Sequence, residues 1–416
     1  MPPLPPAPAV EPAAAPPRAA LFALGLAGFC AFLGVYATQP ILPELERVFG
    51  ASKAAAALTV SAATIAVALA SPFVGFAVRR FGHRRVTVAC LLVLPVPTLL
   101  AATATGIPSL VAWRFLQGLV VPGIYAVTMA FIADRWPAHD LGRAMSYLVT
   151  GNVIGGFSGR VLSGLADDRF GWRASFLVLG AVTAVAAAVA SRLLPREAGA
   201  PSKASPAALA PARAILRDVV REPRLLATFA VGFNVLFSHV ATFTYVTFHL
   251  SGPPYLLGTG TLAWLFSVYL VGAVITPFAG RWIDRVGSRR ALTAALAAAL
   301  AGGALSLVPS VAAVVAGLAA TSTAVFVSQS ASTAYLRTAA PARARSVASG
   351  LYVSIYYLGG AAGGVAPALA WHLGGWPACV GLVAAVQLVT IALAARFWRE
   401  RAPRPVAAPP AIGEAA

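Results

Sequence analysis

Two stretches decide how this chain is read: GFAVRRFGHRRV at residues 75–86 and GRWIDRVGSRRA at residues 280–291. Each sets a cluster of arginines between long apolar runs. Gly75 and Gly280, Gly82 and Gly287, and the pairs Arg84–Arg85 and Arg289–Arg290 all lie 205 residues apart. A further pair keeps nearly the same period: Trp172 in FGWRASFLVLGAV and Trp376 in LGGWPACVGLVAAV are 204 residues apart. A recurrence in equivalent places predicts a chain built of two similar halves.

The apolar runs identify the surroundings. Of 416 residues, 59% are hydrophobic and 11% charged, against about 25% charged in ordinary soluble domains. Too few charges are present to cover a soluble surface, so the solvent of this chain is lipid. A spanning helix needs roughly 20 mostly apolar residues. The sequence predicts such spans at 20–40, 55–78, 85–104, 109–131, 144–165 and 173–192, then 226–249, 259–281, 290–309, 311–334, 347–370 and 375–396. Short alternating strands of the membrane-barrel kind are not seen. The expected fold class is all-α integral membrane, with twelve transmembrane helices in two pseudo-symmetric six-helix bundles. Residues 20–192 form the first bundle and 226–396 the second, with 193–225 a partly helical cytoplasmic linker. The Pro/Ala-rich residues 1–19 and residues 397–416 read as disordered cytoplasmic tails.

Charge gives direction. With the N-terminus placed in the cytoplasm, cytoplasmic ends and loops hold 25 of the 31 basic residues, as the positive-inside rule requires. The outer loops hold Arg47, Lys53, Arg169 and Arg173, accompanied by Glu44, Glu46, Asp167 and Asp168. The net charge of +18 is therefore mainly an orientation signal. In a soluble protein it would suggest nucleic acid, but no zinc spacing, finger or basic helix accompanies it. Cys30, Cys90 and Cys379 each sit in an apolar run and imply neither disulfides nor a metal site. No cofactor is implied.

Two similar halves joined by a linker place a cavity at their interface, and rocking one half against the other opens it alternately to each side. That is transport geometry, with a small-molecule substrate, the bilayer as surroundings and a monomer as the expected unit. Candidate cavity residues come from polar faces. Asn234, Ser238, Thr242, Tyr245 and His249 share one face of span 7. Tyr36 and Gln39 follow on span 1, Gln117 on span 4 and Asn152 on span 5. Ser328, Gln329, Ser332 and Tyr335 lie on span 10, and Tyr352, Tyr356 and Tyr357 on span 11. Polar stripes in membrane helices normally face the bundle interior or a water-filled cavity.

Charges within spans are costly and mark function by default. Arg114 and Arg160 are such charges; each is open to anion binding, carboxylate pairing or proton coupling, and Arg160 also to snorkelling toward the outer surface. Asp134, at the cytoplasmic end of span 4, and His239 are the other proton-coupling candidates. No central Asp or Glu stands in any span. In GNVIGGFSGRVLSG, residues 151–164, Gly151, Gly155 and Gly159 recur every four residues, flanked by Gly156 and Gly164. This spacing predicts a close helix seam. In the arginine turns, Gly280 and Gly287 are expected to permit close approach and a tight turn. Asp284 is expected to pair with a basic residue of the other half as a conformational latch. Gly75, Arg79, Arg80, Gly82, Arg84, Arg85, Arg285, Arg289 and Arg290 complete that latch set.

Taken together, GRWIDRVGSRR, RFLQG at 114–118, GNVIGGFSGRVLSG and QPILPEL after span 1 resemble the major facilitator superfamily over residues 20–396. In particular they are similar to bacterial inner-membrane efflux proteins of the arabinose-efflux and multidrug–proton antiporter type. The resemblance implies alternating-access export of small amphipathic compounds or sugars, usually driven by inward proton flow, from the bacterial inner membrane with both termini cytoplasmic. It assigns the latch to Asp284, a proton-related role to Arg114, and Gly151, Gly155 and Gly156 to the antiporter motif. Two departures stand out: Arg79 where the family commonly has aspartate, and Gly156 where a proline often stands. The competing readings are an importer or facilitator on the same fold and a non-transporting receptor or scaffold. An embedded enzyme is disfavoured, because no nucleophile–base pair, metal set or nucleotide loop is evident.

Overall fold

The computed structural model describes residues 18–136, 140–195 and 210–398. Most of the two predicted tails and part of the predicted linker lie outside these residues. The described residues form helices and turns, with no strand. In a bilayer every backbone amide must be satisfied within the protein, and a helix does this within one segment.

Packing divides the chain into two compact units, Met1–Ala204 with Gly258–Trp264, and Ser205–Leu257 with Leu265–Ala416. The first contains α1 Arg18–Leu33, α2 Leu42–Phe49, α3 Lys53–Ala70, α4 Val74–Phe81, α5 His83–Val93, α6 Pro95–Leu100, α7 Ile107–Arg135, α8 Leu141–Phe170 and α9 Trp172–Leu193. In chain order there follow α10 Ala210–Arg221, α11 Pro223–Ser251, α12 Thr259–Leu265, α13 Val268–Val286, α14 Ser288–Leu305, α15 Val311–Ala339 and α16 Arg345–Phe397. All but the last residue of α12 falls in the first unit.

Seven helical runs among the described residues are long and apolar enough to cross a membrane. The last, Ala342–Phe397, is 56 residues long and contains two passes. With α1, α8, α12 plus α13, and α14, these make the twelve-helix membrane fold. The two passes of α16 are separated at Gly374 and Gly375, the latter at φ 59° and ψ −141°. A side chain at that φ would be strained, so glycine makes a sharp corner in place of a loop. The arginine turns use the same device: Gly82 has φ 84° and Gly287 φ 88°.

Four predicted spans are interrupted. The helix of span 1 stops at Leu33 rather than residue 40, and turns lead to a 3-10 segment at Gln39–Ile41. Locally, Gly34 O accepts a turn bond from Ala37 N at 3.3 Å rather than a helical one, and Arg114 donates to the carbonyls of both Gly34 and Val35. Span 2 breaks between α3 and α4, span 3 between α5 and α6, and span 8 between α12 and α13.

The principal seam of each unit follows one pattern. A side chain on Gly151, Gly155 or Gly159 of α8 would overlap the carbonyls of Gly25, Phe29 or Leu33 of α1. In the second unit, Gly359 and Gly363 of α16 meet the carbonyls of Phe233 and Phe237 of α11 in the same way. Gly155, Gly159, Phe29 and Leu33 match Gly359, Gly363, Phe233 and Phe237 at an offset of 204. Gly156 behaves differently from its neighbours. The nearest atom to a Cβ there would be Arg160 Nη1 at 3.5 Å, so its expected share in the seam is not found. Gly75 and Gly280 face open space, which corrects the expectation of close approach at Gly280. Gly287 and Gly82 keep the turn role.

Candidate functional site

The predicted residues divide between the two units, and each set is organised within its own unit. In the first, Arg114 is 1% exposed. Its Nε donates to Thr59 O at 3.0 Å and its Nη1 to Gly34 O at 2.7 Å. It also donates to Val35 O and Gln117 Oε1. Gln117 Nε2 donates in turn to Thr98 Oγ1 at 2.9 Å. A guanidinium has five donors and no acceptor, and here it serves backbone carbonyls released where α1 ends. This geometry makes Arg114 a clamp joining α1, α3 and α7.

Arg160 is fully buried. Its Nε donates to Gln39 Oε1 at 2.8 Å, and its Nη1 to Gly156 O at 2.7 Å. Its guanidinium lies over the Tyr36 ring, 4.8 Å from the centroid. Tyr36, Gln39 and Arg160 are thus brought together around a buried cation, and the snorkelling alternative does not hold. Asn152 shares a hydrogen bond with Tyr125, whose ring meets Phe32 edge-on at 5.1 Å. Tyr125 did not stand out in the sequence because it lies outside the polar faces counted there.

Asp134 is remote from this arrangement. Its side chain is 60% exposed and faces His83 Nε2 at 3.4 Å. Among the latch residues, Arg79 lies over Phe76 and Arg80 over Phe81. Arg84 donates to the carbonyls of Ser191 and Leu194. It therefore covers the open carbonyl end of α9, where a cation is favoured. Asp284 and Arg285 are exposed.

In the second unit, the polar stripe of α11 is tied into the helix seam. Ser238 Oγ donates to Asn234 Oδ1 at 2.7 Å. Tyr245 donates to Gly364 O at 3.0 Å. Thr242 is 9% exposed, and His249 stacks on Trp376 at 5.5 Å. His239 is buried, edge-on to Tyr269 at 4.5 Å and beside Phe243 at 4.8 Å. Ser332 and Tyr352 hydroxyls are 2.6 Å apart, and Tyr352 also donates to Gln329 Oε1 at 3.4 Å. Tyr356 stacks beside Tyr352 at 6.3 Å. The buried Ser328 Oγ has no hydrogen-bond partner. Tyr335 is a correction to the predicted cavity lining: it stacks on Trp398 at 4.2 Å inside a core cluster. Trp398 escaped notice because it lies beyond the last predicted span. A separate cavity of about 380 Å³ lies among α13, α14 and α15, lined by residues including Val271, Trp282, Ala298, Ala320 and Thr323. None of the predicted cavity residues lines it.

One group was counted in the sequence only as an outer-loop acid. Asp167 lies two residues beyond predicted span 5 and is 7% exposed. The Thr259 side chain hydrogen-bonds its carboxylate, while Oδ1 is buried with no hydrogen-bond partner. Burial pushes its carboxyl up to about 6. The bond from Thr259 opposes that rise, nearby Glu44 and Asp168 add to it, and Arg47 opposes it.

Comparisons with known proteins agree with this architecture. The sequence profile described as Major Facilitator Superfamily matches residues 24–268 and 255–415. The chain is 28% identical over 383 residues to the uncharacterized MFS-type transporter YybF of Bacillus subtilis, covering 92% of this chain and 94% of that protein. It is 29% identical to the inner membrane transport protein YnfM of Escherichia coli, covering 91% and 90%. A partial match, 30% identical over 194 residues, joins 45% of this chain to 36% of the multidrug resistance protein B homolog of Mycobacterium tuberculosis. Among solved structures, a bacterial homolog of the human lysosomal transporter Spinster, inward-facing and unoccupied, matches with a TM-score of 0.68. It shares 15% identity, over 92% of this chain and 95% of that one.

Proposed function

Because the chain belongs to the major facilitator superfamily, and so is a membrane transporter rather than an enzyme, we propose that it exports small amphipathic molecules by proton-coupled alternating access. The observation carrying this reading is the α8 seam. Gly151, Gly155 and Gly159 press onto α1 in the stretch that resembles the antiporter motif, with Arg160 buried one turn after Gly156. The partial likeness to a protein named for multidrug resistance supports the same direction. The likeness to an inner membrane transport protein supports residence in the bacterial inner membrane, with both termini cytoplasmic on the basic-loop count and a monomer as the working unit.

In this reading, aromatic and hydroxyl groups such as Tyr352, Ser332 and Ser328 offer a surface suited to amphipathic substrates. Arg160 with Tyr36 and Gln39 supplies a cation whose partners change during the cycle, and Asp284 supplies the cytoplasmic latch. The test uses everted membrane vesicles with an acid-inside gradient followed by dye fluorescence. Lipophilic cations, antibiotics and sugars are added one at a time. Loss of the gradient on adding one compound, absent from vesicles lacking the protein, is the expected result. A gradient indifferent to every compound, with folded protein present, would overturn proton antiport and favour a facilitator.

A further inference from the structure

The sequence places no acid at the centre of any span, yet the structure buries one at the predicted outer end of α8. Asp167 is 7% exposed, and its Oδ1 has no hydrogen-bond partner. The charges around it do not neutralise it. Arg47, the cation acting on it among the described residues, donates two hydrogen bonds to Glu44 at 2.9 and 2.6 Å. The other charged neighbours, Glu44 and Asp168, are acids. A buried carboxylate among like charges favours its neutral form.

What Asp167 touches gives that proton a consequence. Residues 258–264 are packed with the first unit, although the chain on either side of them belongs to the second. Three features of α8 hold them. Asp167 accepts the Thr259 hydrogen bond. Gly164 lets Thr259 O and Ala263 Cβ come close, to 2.6 and 2.5 Å from where its own Cβ would stand. Asp168 lies beside Gly258 and Gly260.

We propose that Asp167 is a proton-binding site, and that its charge state sets how firmly α8 holds residues 258–264. Uptake is simple in balance: the carboxylate gains one proton and loses its charge. A hydrogen bond to an ionised acceptor is roughly twice as strong as a neutral one, so protonation weakens the tie to Thr259. The carboxyl's shift to about 6 agrees with this geometry. A site at the predicted outer face is placed to take protons from outside. Its bearing on export rests on the proton-coupled reading above; the protonation itself does not.

The full chain is reconstituted in lipid nanodiscs without substrate. Infrared spectra are recorded from about pH 4 to about pH 8, the range around a shifted carboxyl. Hydrogen exchange of the amides at 259–264 is measured over the same range. The expected result is a buried carboxyl band with a midpoint near 6, lost in Asp167→Asn. Exchange at 259–264, corrected for its intrinsic pH dependence, should rise several-fold as the wild-type site protonates. Thr259→Val keeps the acid and removes its donor, so its midpoint should move up by roughly half a unit to one unit. A wild-type protein with no such band, or a band unchanged in Asp167→Asn, overturns the site. Exchange insensitive to pH, or a midpoint unmoved in Thr259→Val, overturns the link to residues 258–264. Failure of every compound in the vesicle assay would instead sink proton antiport while leaving these titrations standing.

Discussion

In the first unit, Gly155 and Gly159 press onto the carbonyls of Phe29 and Leu33; in the second, Gly359 and Gly363 press onto those of Phe233 and Phe237. The offset is 204 throughout, so the two seams are one backbone arrangement written twice. Their chemistry differs. The offset carries Arg160 onto Gly364, whose carbonyl receives the Tyr245 hydroxyl. It carries Arg114 onto Leu318, a fully buried apolar residue. The buried arginines of the described residues are therefore confined to the first unit. Close backbone approach needs only a missing side chain, so it survives divergence of everything around it. A buried guanidinium needs several acceptors supplied together, and only the first unit supplies them.

The largest expected effect tests that asymmetry. Arg114→Leu strands Val35 O and Gln117 Oε1 and takes a donor from Thr59 O and from Gly34 O, the latter left with its turn bond from Ala37 N at 3.3 Å. Each stranded buried group costs about 1–3 kcal/mol, so the variant should fail to yield monodisperse protein on size exclusion. Arg114→Lys should recover only part, because an ammonium cannot span these acceptors with one planar fork. Normal yield from Arg114→Leu would mean that the seam tolerates an apolar centre, as the second unit does at Leu318.

The next effect compares the seams directly. Gly159→Ala and Gly363→Ala each force two helices apart, at a cost of roughly 1–3 kcal/mol. The overlap would be deeper at Gly159 than at Gly363. Thermal midpoints in detergent should fall in both, and further in Gly159→Ala. Gly156→Ala is the internal control and should be near neutral, since the nearest atom to its Cβ, Arg160 Nη1 at 3.5 Å, would be in ordinary contact. Equal losses at all three positions would remove the distinction between seam and flank.

Much of this was legible before any coordinates. Apolar length and the arginine turns carry the twelve-helix fold, because membrane spans are set by bilayer thickness and loops by charge. The glycine period at 151, 155 and 159 located the first seam. The second follows from the same offset, where Gly359 and Gly363 carry the glycine period just after Tyr352, Tyr356 and Tyr357. Side-chain partners were not legible. A polar stripe shows which residues share a face, not whether that face meets water or, as Tyr245 does, a carbonyl of α16. The acceptors of Arg114 were not legible, because nothing in the sequence announces that α1 ends at Leu33. Asp167 read as a loop acid because its hydrogen-bond donor, Thr259, lies some ninety positions away.

The smaller effects separate charge from hydrogen bonding in the two units. Asp167 has its folded-state carboxyl raised to about 6 from an ordinary value of 3.8. The native state therefore holds this proton more tightly than the unfolded chain. Its contribution to stability is complete below the unfolded value and is lost as pH rises through about 6. Asp167→Asn, which cannot ionise, should raise the thermal midpoint relative to wild type at about pH 8 and lose that advantage near pH 4. Tyr245→Phe in the second unit removes one neutral hydrogen bond to Gly364 O, worth about 1 kcal/mol. Its deficit should be the same at both pH values, since no charge changes. A pH-dependent deficit in Tyr245→Phe would mean that the second seam also answers to protons, and the division of charge between the two units would fail as an account of the molecule.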